Sequence, residues 1–210
     1  MGRQGILIVV SGFSGAGKGT VMKALTDRYD SYALSVSATT RDPRPGEKEG
    51  EAYFFKTREE FEQMIADGAL IEYARYVDNY YGTPRAYVEK QLSQGHDVIL
   101  EIEIQGARKI REQYPEAVLL FVAAKDFATL KERLIGRGTE SEEVIDQRLR
   151  RAVQEAEGIE EYDYLVVNDV LDDCVEEIHR IIDSEHRKIS RNTEFIEQIR
   201  SELNAFAKGE

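Results

Sequence analysis

A chain of 210 residues is long enough for one sizeable domain with small inserts and too short for two large independent domains. Acidic side chains outnumber basic ones 40 to 28, a formal charge of −12 that argues against a general nucleic-acid binder yet leaves room for a small phosphorylated ligand in a local basic pocket. The 41% hydrophobic content and four prolines exclude a disordered or collagen-like chain, and the single cysteine, Cys174, excludes an intrachain disulfide and a thiolate metal cluster.

In chain order, the apolar run Ile6–Val10 predicts a buried strand. The helix expected after it carries Val21, Leu25 and Tyr29 as an inward stripe. From Ser37 to Gly95 the chain is rich in Tyr and Phe, and its short strand-like pieces flank a helix opened by a capping box, Thr57 with Glu60. This stretch reads as a small mixed α/β insert. Val98–Ile104 predicts a second strand, Gln105 to Tyr114 a helix ended by Pro115, and Val118–Val122 a third strand. Asp126 to Glu157 is charged and helical, interrupted at Gly136-Arg137-Gly138, with a further capping box at Thr139 and Glu142; a charged hairpin of this kind is the sort of element that moves. Tyr164–Val167 predicts the last core strand, and helix follows from Asp172 with a break near Asn192-Thr193. Strands alternating with helices predict a parallel α/β sheet.

The segment Gly12-Phe13-Ser14-Gly15-Ala16-Gly17-Lys18-Gly19-Thr20 follows a strand and opens a helix. Its glycines permit positive φ, so successive N–H groups turn inward toward phosphate oxygens, the helix N-terminus adds partial positive charge, and Lys18 reaches the outer phosphates. The Gly-x4-Gly-Lys part matches the P-loop of nucleoside triphosphate enzymes. A plain Gly-rich turn is the competing reading, and both flanking elements weigh against it. Gly19 stands where Ser or Thr would ligate Mg²⁺, so either Thr20 takes that task or water does.

Residues 37 to 47, Ser-Ala-Thr-Thr-Arg-Asp-Pro-Arg-Pro-Gly-Glu, place Arg41 and Arg44 three apart on a loop that two prolines keep irregular. Guanidinium forks suit a doubly charged phosphate. On composition alone a solvated loop, with Asp42 and Glu47 neutralising both arginines, explains it as well. Further on come Glu72, Asn79-Tyr80-Tyr81-Gly82-Thr83-Pro84 and Glu101-Ile102-Glu103-Ile104-Gln105-Gly106. Taken alone, Glu72 is an outward strand residue and Thr83 a helix N-cap ahead of Pro84. Glu101 and Glu103, two apart on an expected strand, would share one face.

With these motifs in order, continued by Arg133-Leu134, Arg137-Gly138-Thr139-Glu140 and Val167-Asn168-Asp169, the chain resembles guanylate kinases over roughly residues 6 to 170. The resemblance implies a P-loop core with a five-stranded, mainly parallel sheet (1–36, 96–125 and 158–210), a GMP-binding insert (37–95) and a helical lid (126–157). It implies the reaction ATP + GMP → ADP + GDP, with dGMP also accepted and Mg²⁺ required. ATP would be held by Gly12, Ser14, Gly15, Ala16, Gly17, Lys18, Gly19, Thr20, Arg133, Arg137 and Asn168. Ser37, Arg41, Arg44, Tyr53 and Tyr81 would hold the GMP phosphate. Glu72 and Thr83 would read the base, since guanine offers N1–H and 2-amino donors beside an O6 acceptor and adenine would leave both protein groups mispaired. Glu101 and Glu103 would contact the guanine nucleotide or order hydrated Mg²⁺. Lys18, Arg41, Arg137 and Arg148 would carry catalysis, the lid arginines, Arg151 among them, closing over the moving phosphoryl group. Ordinary pairing with Glu132, Glu142, Glu143 and Asp146 is the plainer role for those arginines.

Two rivals are weaker. A guanylate-kinase-like module that binds phosphopeptides would have a degraded ATP loop, and this one is intact. A kinase for AMP, UMP or a sugar phosphate would have no use for Glu72 with Thr83. The longest strictly apolar runs, Ile6–Val10 and Ala117–Ala124, fall far short of a bilayer span, and the opening residues lack a signal pattern. The expectation is a soluble, cytoplasmic enzyme acting on small molecules, with no nucleic-acid or membrane partner and with homo-oligomerisation left open.

Overall fold

The computed structural model describes residues 4–76, 78–136 and 142–208. In chain order it has β1 (Leu7–Gly12), α1 (Lys18–Arg28), β2 (Tyr32–Leu34), β3 (Ala38–Thr39), β4 (Phe54–Phe55), α2 (Arg58–Ala66) and β5 (Leu70–Tyr76). There follow β6 (Asn79–Pro84), α3 (Arg85–Ser93), β7 (Asp97–Glu101), α4 (Ile104–Gln113), β8 (Val118–Ala123), α5 (Phe127–Gly136), α6 (Glu142–Ala156), β9 (Tyr164–Val167), α7 (Leu171–His186) and α8 (Thr193–Lys208).

The core sheet has five strands, all parallel, in the order β2-β7-β1-β8-β9. Its centre is the most apolar part of the chain, because a parallel strand covered by helices on both faces has no solvent side. Ile8, Val9 and Val10 are fully buried, and Val9 lies in register with Leu100 on one side and Leu119 on the other. The C-terminal ends of these strands open on the crevice where α/β sheets bind ligands. Four of the five strands were legible as apolar runs. The fifth, β2, is a three-residue edge strand whose Tyr-Ala-Leu sequence carries no run of its own.

The insert forms a separate four-stranded sheet in the order β4-β3-β6-β5. Its helix α2 starts at the expected capping box: Thr57 Oγ1 accepts from Glu60 N at 3.1 Å, and the Glu60 carboxylate accepts from Thr57 N at 2.8 Å. Between Leu70↔Pro84 and Glu72↔Thr83 the register advances by two residues on β5 and by one on β6. Ile71 is the extra residue of this bulge, and its fully buried side chain joins the core cluster with Leu100, Ala107 and Ile110.

Two boundaries differ from expectation. The strand expected to reach Ile104 ends at Glu101, and Glu103 is the extended N-cap residue of α4. The helix after Thr83 begins at Arg85 with Pro84 as its N-cap, so Thr83 belongs to β6 and caps nothing. The expected capping box at Thr139 lies outside the described residues. The chain divides into a compact unit up to Val175 and another from Glu176 onward. Within the latter, Glu185 is almost fully buried and pairs with Lys188 at 2.7 Å and Arg191 at 3.5 Å, and the break expected near Asn192 falls between α7 and α8.

Candidate active site

The loop between β1 and α1 is shaped by glycine at two points of close approach. At Gly12 (φ +152°) a Cβ would sit 2.0 Å from the Val122 carbonyl oxygen, and at Gly17 (φ +88°) it would sit 2.6 Å from Asn168 Nδ2. Lys18 Nζ donates to the carbonyls of Gly12 (2.6 Å) and Phe13 (3.1 Å), which sets the ammonium inside the loop at the head of α1. The helix dipole and the loop N–H groups add positive potential there.

Three elements grip this loop from outside. Asn168, just past β9, donates from Nδ2 to the Ala16 carbonyl at 2.8 Å, and Arg133 on α5 reaches the same oxygen at 3.3 Å. Arg148 on α6 donates to Ser14 Oγ at 2.7 Å. Ser11 Oγ donates to the Ile102 carbonyl at 2.6 Å, tying the exit of β1 to the exit of β7. The cleft between them is about 520 Å³, walled by the loop with Lys18, by the turn from Glu101 to Ile104, and by the α6 face carrying Arg148, Arg151 and Glu155. That is the size of a small-ligand pocket.

Its electrostatics are mixed. Burial raises the Glu101 carboxyl above its ordinary value, against the pull of Lys18. Burial also raises Glu155, opposed by Arg151 and Lys18. Arg151 pairs with Glu103 and, at 3.3 Å, with Glu155. Arg150, one residue away, turns outward to Asp146. Helix α6 therefore shows both behaviours open to its arginines: Arg148 and Arg151 face the cavity, and Arg150 makes ordinary surface pairing. Arg137 lies outside the described residues.

The second cluster is in the insert. Arg44-Pro45-Gly46-Glu47 turns back on itself, with Gly46 at φ +89° and Glu47 N bonded to the Arg44 carbonyl at 3.0 Å. The turn brings Glu47 onto Arg41, whose Nη2 meets both carboxylate oxygens at 2.9 Å. The Arg41 guanidinium also lies over the Tyr53 ring at 5.3 Å, and Tyr53 packs edge-on against Tyr81 at 6.0 Å. Arg41 thus holds the Glu47 carboxyl below its ordinary value. Glu47 neutralises one arginine of the loop; the Arg44 side chain is exposed, and only its backbone N–H bonds to Glu47. Ser37 lies half-buried at the start of the same loop.

The third cluster is Glu72 with Thr83. The bulge at Ile71 sets them directly opposite on β5 and β6, and Thr83 Oγ1 donates to Glu72 Oε1 at 2.8 Å. Both are buried, Glu72 at 8% exposure. Burial raises the Glu72 carboxyl, while the Thr83 hydrogen bond and the Lys109 charge pull it down. Gly106 of α4 adjoins this pair: a Cβ there would lie 3.5 Å from Glu72 Oε2 and 3.1 Å from Ile102, which also lines the cavity. The Glu72–Thr83 pair and the P-loop cavity therefore share one wall.

For a metal, the described residues contain no cluster of three or more His, Cys, Asp or Glu side chains. Oxygen donors beside the first turn of α1 include Glu101, whose Oε2 lies 3.9 Å from a Cβ built on Gly19, and the exposed Thr20. This sparse oxygen set suits Mg²⁺ carried on phosphates better than an all-protein cage.

Glu101 and Glu103 both line the cavity, but through a strand end and a helix cap, since the strand stops short of Glu103. Sequence reasoning missed Ser11, Glu155 and Ile102. Glu155 had a signal, standing four residues after Arg151 on a helix.

The guanylate kinase family model matches residues 4–185. The guanylate kinase of Oceanobacillus iheyensis is 52% identical over 188 residues, spanning 90% of this chain and 91% of that protein. That of Caldanaerobacter subterraneus is 48% identical over 200 residues, 95% and 97% of the two chains. Among solved structures, the guanylate kinase from Anaplasma phagocytophilum superposes with a TM-score of 0.71 at 33% identity over 90% of each chain.

Proposed function

The chain belongs to the guanylate kinase family, and on that premise we propose how its residues carry out the reaction. It is a P-loop kinase that phosphorylates GMP to GDP at the expense of ATP. A GMP phosphate oxygen attacks the γ-phosphorus of ATP in line, the bond to the β-phosphate oxygen breaks, and ADP leaves.

The loop from Gly12 to Thr20 binds the ATP phosphates through its N–H groups, and Lys18 exchanges its two carbonyl partners for phosphate oxygens. Arg133, Arg137 and Arg148 neutralise the charge that gathers on the moving group. Arg41 and Arg44, with Ser37, Tyr53 and Tyr81, hold the GMP phosphate. In the GMP complex the phosphate competes with Glu47 for Arg41. Glu101 and Thr20, the latter directly or through water, are the residues that would hold Mg²⁺ brought with ATP, and the ion would supply charge neutralisation at the phosphates. Asn168 acts near the adenine by fixing the Ala16 carbonyl. Residues 37–95 serve as the GMP insert, 126–157 as the lid, and 1–36, 96–125 and 158–210 as the core. No described helix is long and apolar enough to cross a membrane, and free nucleotides as substrates suit a cytoplasmic site of action.

The observation that carries the choice of GMP is the buried Glu72–Thr83 pair. A buried carboxylate needs donors, and guanine supplies N1–H and a 2-amino group where adenine has no donor at N1. The test is coupled ADP production with ATP·Mg²⁺ against GMP, dGMP, AMP and UMP, for the wild type and Lys18→Ala. Turnover is expected with the guanine nucleotides and is expected to be lost in the variant. Equal turnover of AMP or UMP would overturn the assignment of the base site.

A further inference from the structure

Strand β5 is the free edge of the insert sheet, so the carbonyls on its outer side have no strand partner. Two of them are taken instead by side chains one turn apart on α4, a helix of the core: Lys109 Nζ donates to the Tyr73 carbonyl at 2.9 Å, and Gln113 Nε2 donates to the Ile71 carbonyl at 2.9 Å. Residues 71 and 73 bracket Glu72. The Lys109 ammonium also lies 5.1 Å from the centre of the Tyr73 ring.

We propose that Lys109 is a positioning and specificity residue for guanine recognition: from α4 it clamps the strand carrying Glu72, with its ammonium on the carbonyl of the adjoining Tyr73. The inference rests on the reading of Glu72 as the base-reading group. Guanine presents two adjacent donors, and only an ionised carboxylate accepts from both; a protonated one offers a donor where an acceptor is needed. Burial works against the ionised form. Thr83 and Lys109 are the groups that favour it, and Lys109 is the only charged one among them. Lys109 itself is solvent-exposed, so its replacement costs the core no packing.

The experiment is steady-state kinetics of the full chain, with GMP varied at saturating ATP between about pH 5 and 8.5, for wild type, Lys109→Met, Lys109→Arg and Glu72→Gln. In Lys109→Met the KM for GMP is expected to rise about three- to tenfold at neutral pH with kcat and the KM for ATP held. The acid limb of kcat/KM for GMP should move upward by about half a pH unit or more. Lys109→Arg should restore both. Lys109→Met with wild-type KM and pH profile, or Lys109→Arg as impaired as Lys109→Met, would overturn the proposal. Glu72→Gln separates the two layers. If it raises the KM for GMP while Lys109→Met does not, the base-site reading stands and this inference fails. If it leaves the KM unchanged, the base-site reading itself fails and takes the Lys109 proposal with it.

Discussion

A carboxylate is cheapest in water, so Glu72 at 8% exposure carries a cost that something else offsets. Among the described residues its side-chain donor is Thr83, whose hydroxyl bonds Oε1 and leaves Oε2 toward the wall formed by Gly106 and Ile102. On the proposed reading the hydroxyl has two duties: it donates to Glu72 and keeps lone pairs for a donor on the base. Thr83→Val, nearly the same shape without the hydroxyl, removes both. The KM for GMP is expected to rise about tenfold or more in a coupled assay while the KM for ATP stays put, because Glu72 then sits buried without its donor. A proportional change in both constants would point to a folding defect and count against the assignment. The resemblance named this pair, but the local sequence around each residue pointed elsewhere. Thr83 before Pro84 has the local chemistry of a helix cap, and Glu72 between Ile71 and Tyr73 has the alternation of an outward strand residue. A one-residue bulge decided the matter, and bulges leave no signature in a pattern of period two.

At the scale of elements, α6 shows how one helix divides its arginines. Arg148 and Arg151 face the cavity, and Arg150 lies on the solvent side paired with Asp146 four residues earlier. Exposed i,i+4 pairs contribute at most a few tenths of a kcal/mol. Arg150→Ala should therefore leave kcat and Tm close to wild type. Arg148→Ala removes a cation that touches the P-loop and should lower kcat by about a hundredfold or more, with the loss read in a single-turnover assay. Comparable kcat values for the two variants would sink the lid assignment. The core elements were legible for a related reason: long apolar or strongly periodic segments declare themselves, as β1, β7, β8 and β9 do. Short edge pieces such as β2, β3 and β4 owe their conformation to their neighbours. The end of β7 was misplaced because Ile102 and Ile104 continue the apolar alternation beyond the point where backbone pairing stops, at Glu101.

At the scale of the whole molecule, the chain carries a charge of −12 yet gathers Lys18, Arg148 and Arg151 around one crevice, with Glu101, Glu103 and Glu155 among them. Burial raises the carboxyls of Glu72, Glu101 and Glu155 above their ordinary value of 4.5. The sign follows from linkage. A folded state that holds a proton more tightly than the unfolded chain is favoured by that group below 4.5, and the contribution is lost as pH rises through the raised value. Wherever these three acids are ionised in the folded chain, they are so at the expense of stability. Glu47, Asp126 and Glu161 act in the opposite sense, since hydrogen bonds hold their carboxyls low; their contribution is present at neutral pH and lost as pH falls through their depressed values. The wild-type profile mixes both sets, so a single replacement read against the wild type is the clean measurement. Glu155 is the best choice because one of its carboxylate oxygens is buried without a partner. Glu155→Gln keeps the shape and never ionises. Its Tm should exceed that of the wild type near about pH 8, and the gain should shrink to nothing as pH is lowered toward about 4, where Glu155 is protonated in both folded and unfolded chains. A variant less stable than the wild type at about pH 8 would show that the pair with Arg151 outweighs the burial of the carboxylate.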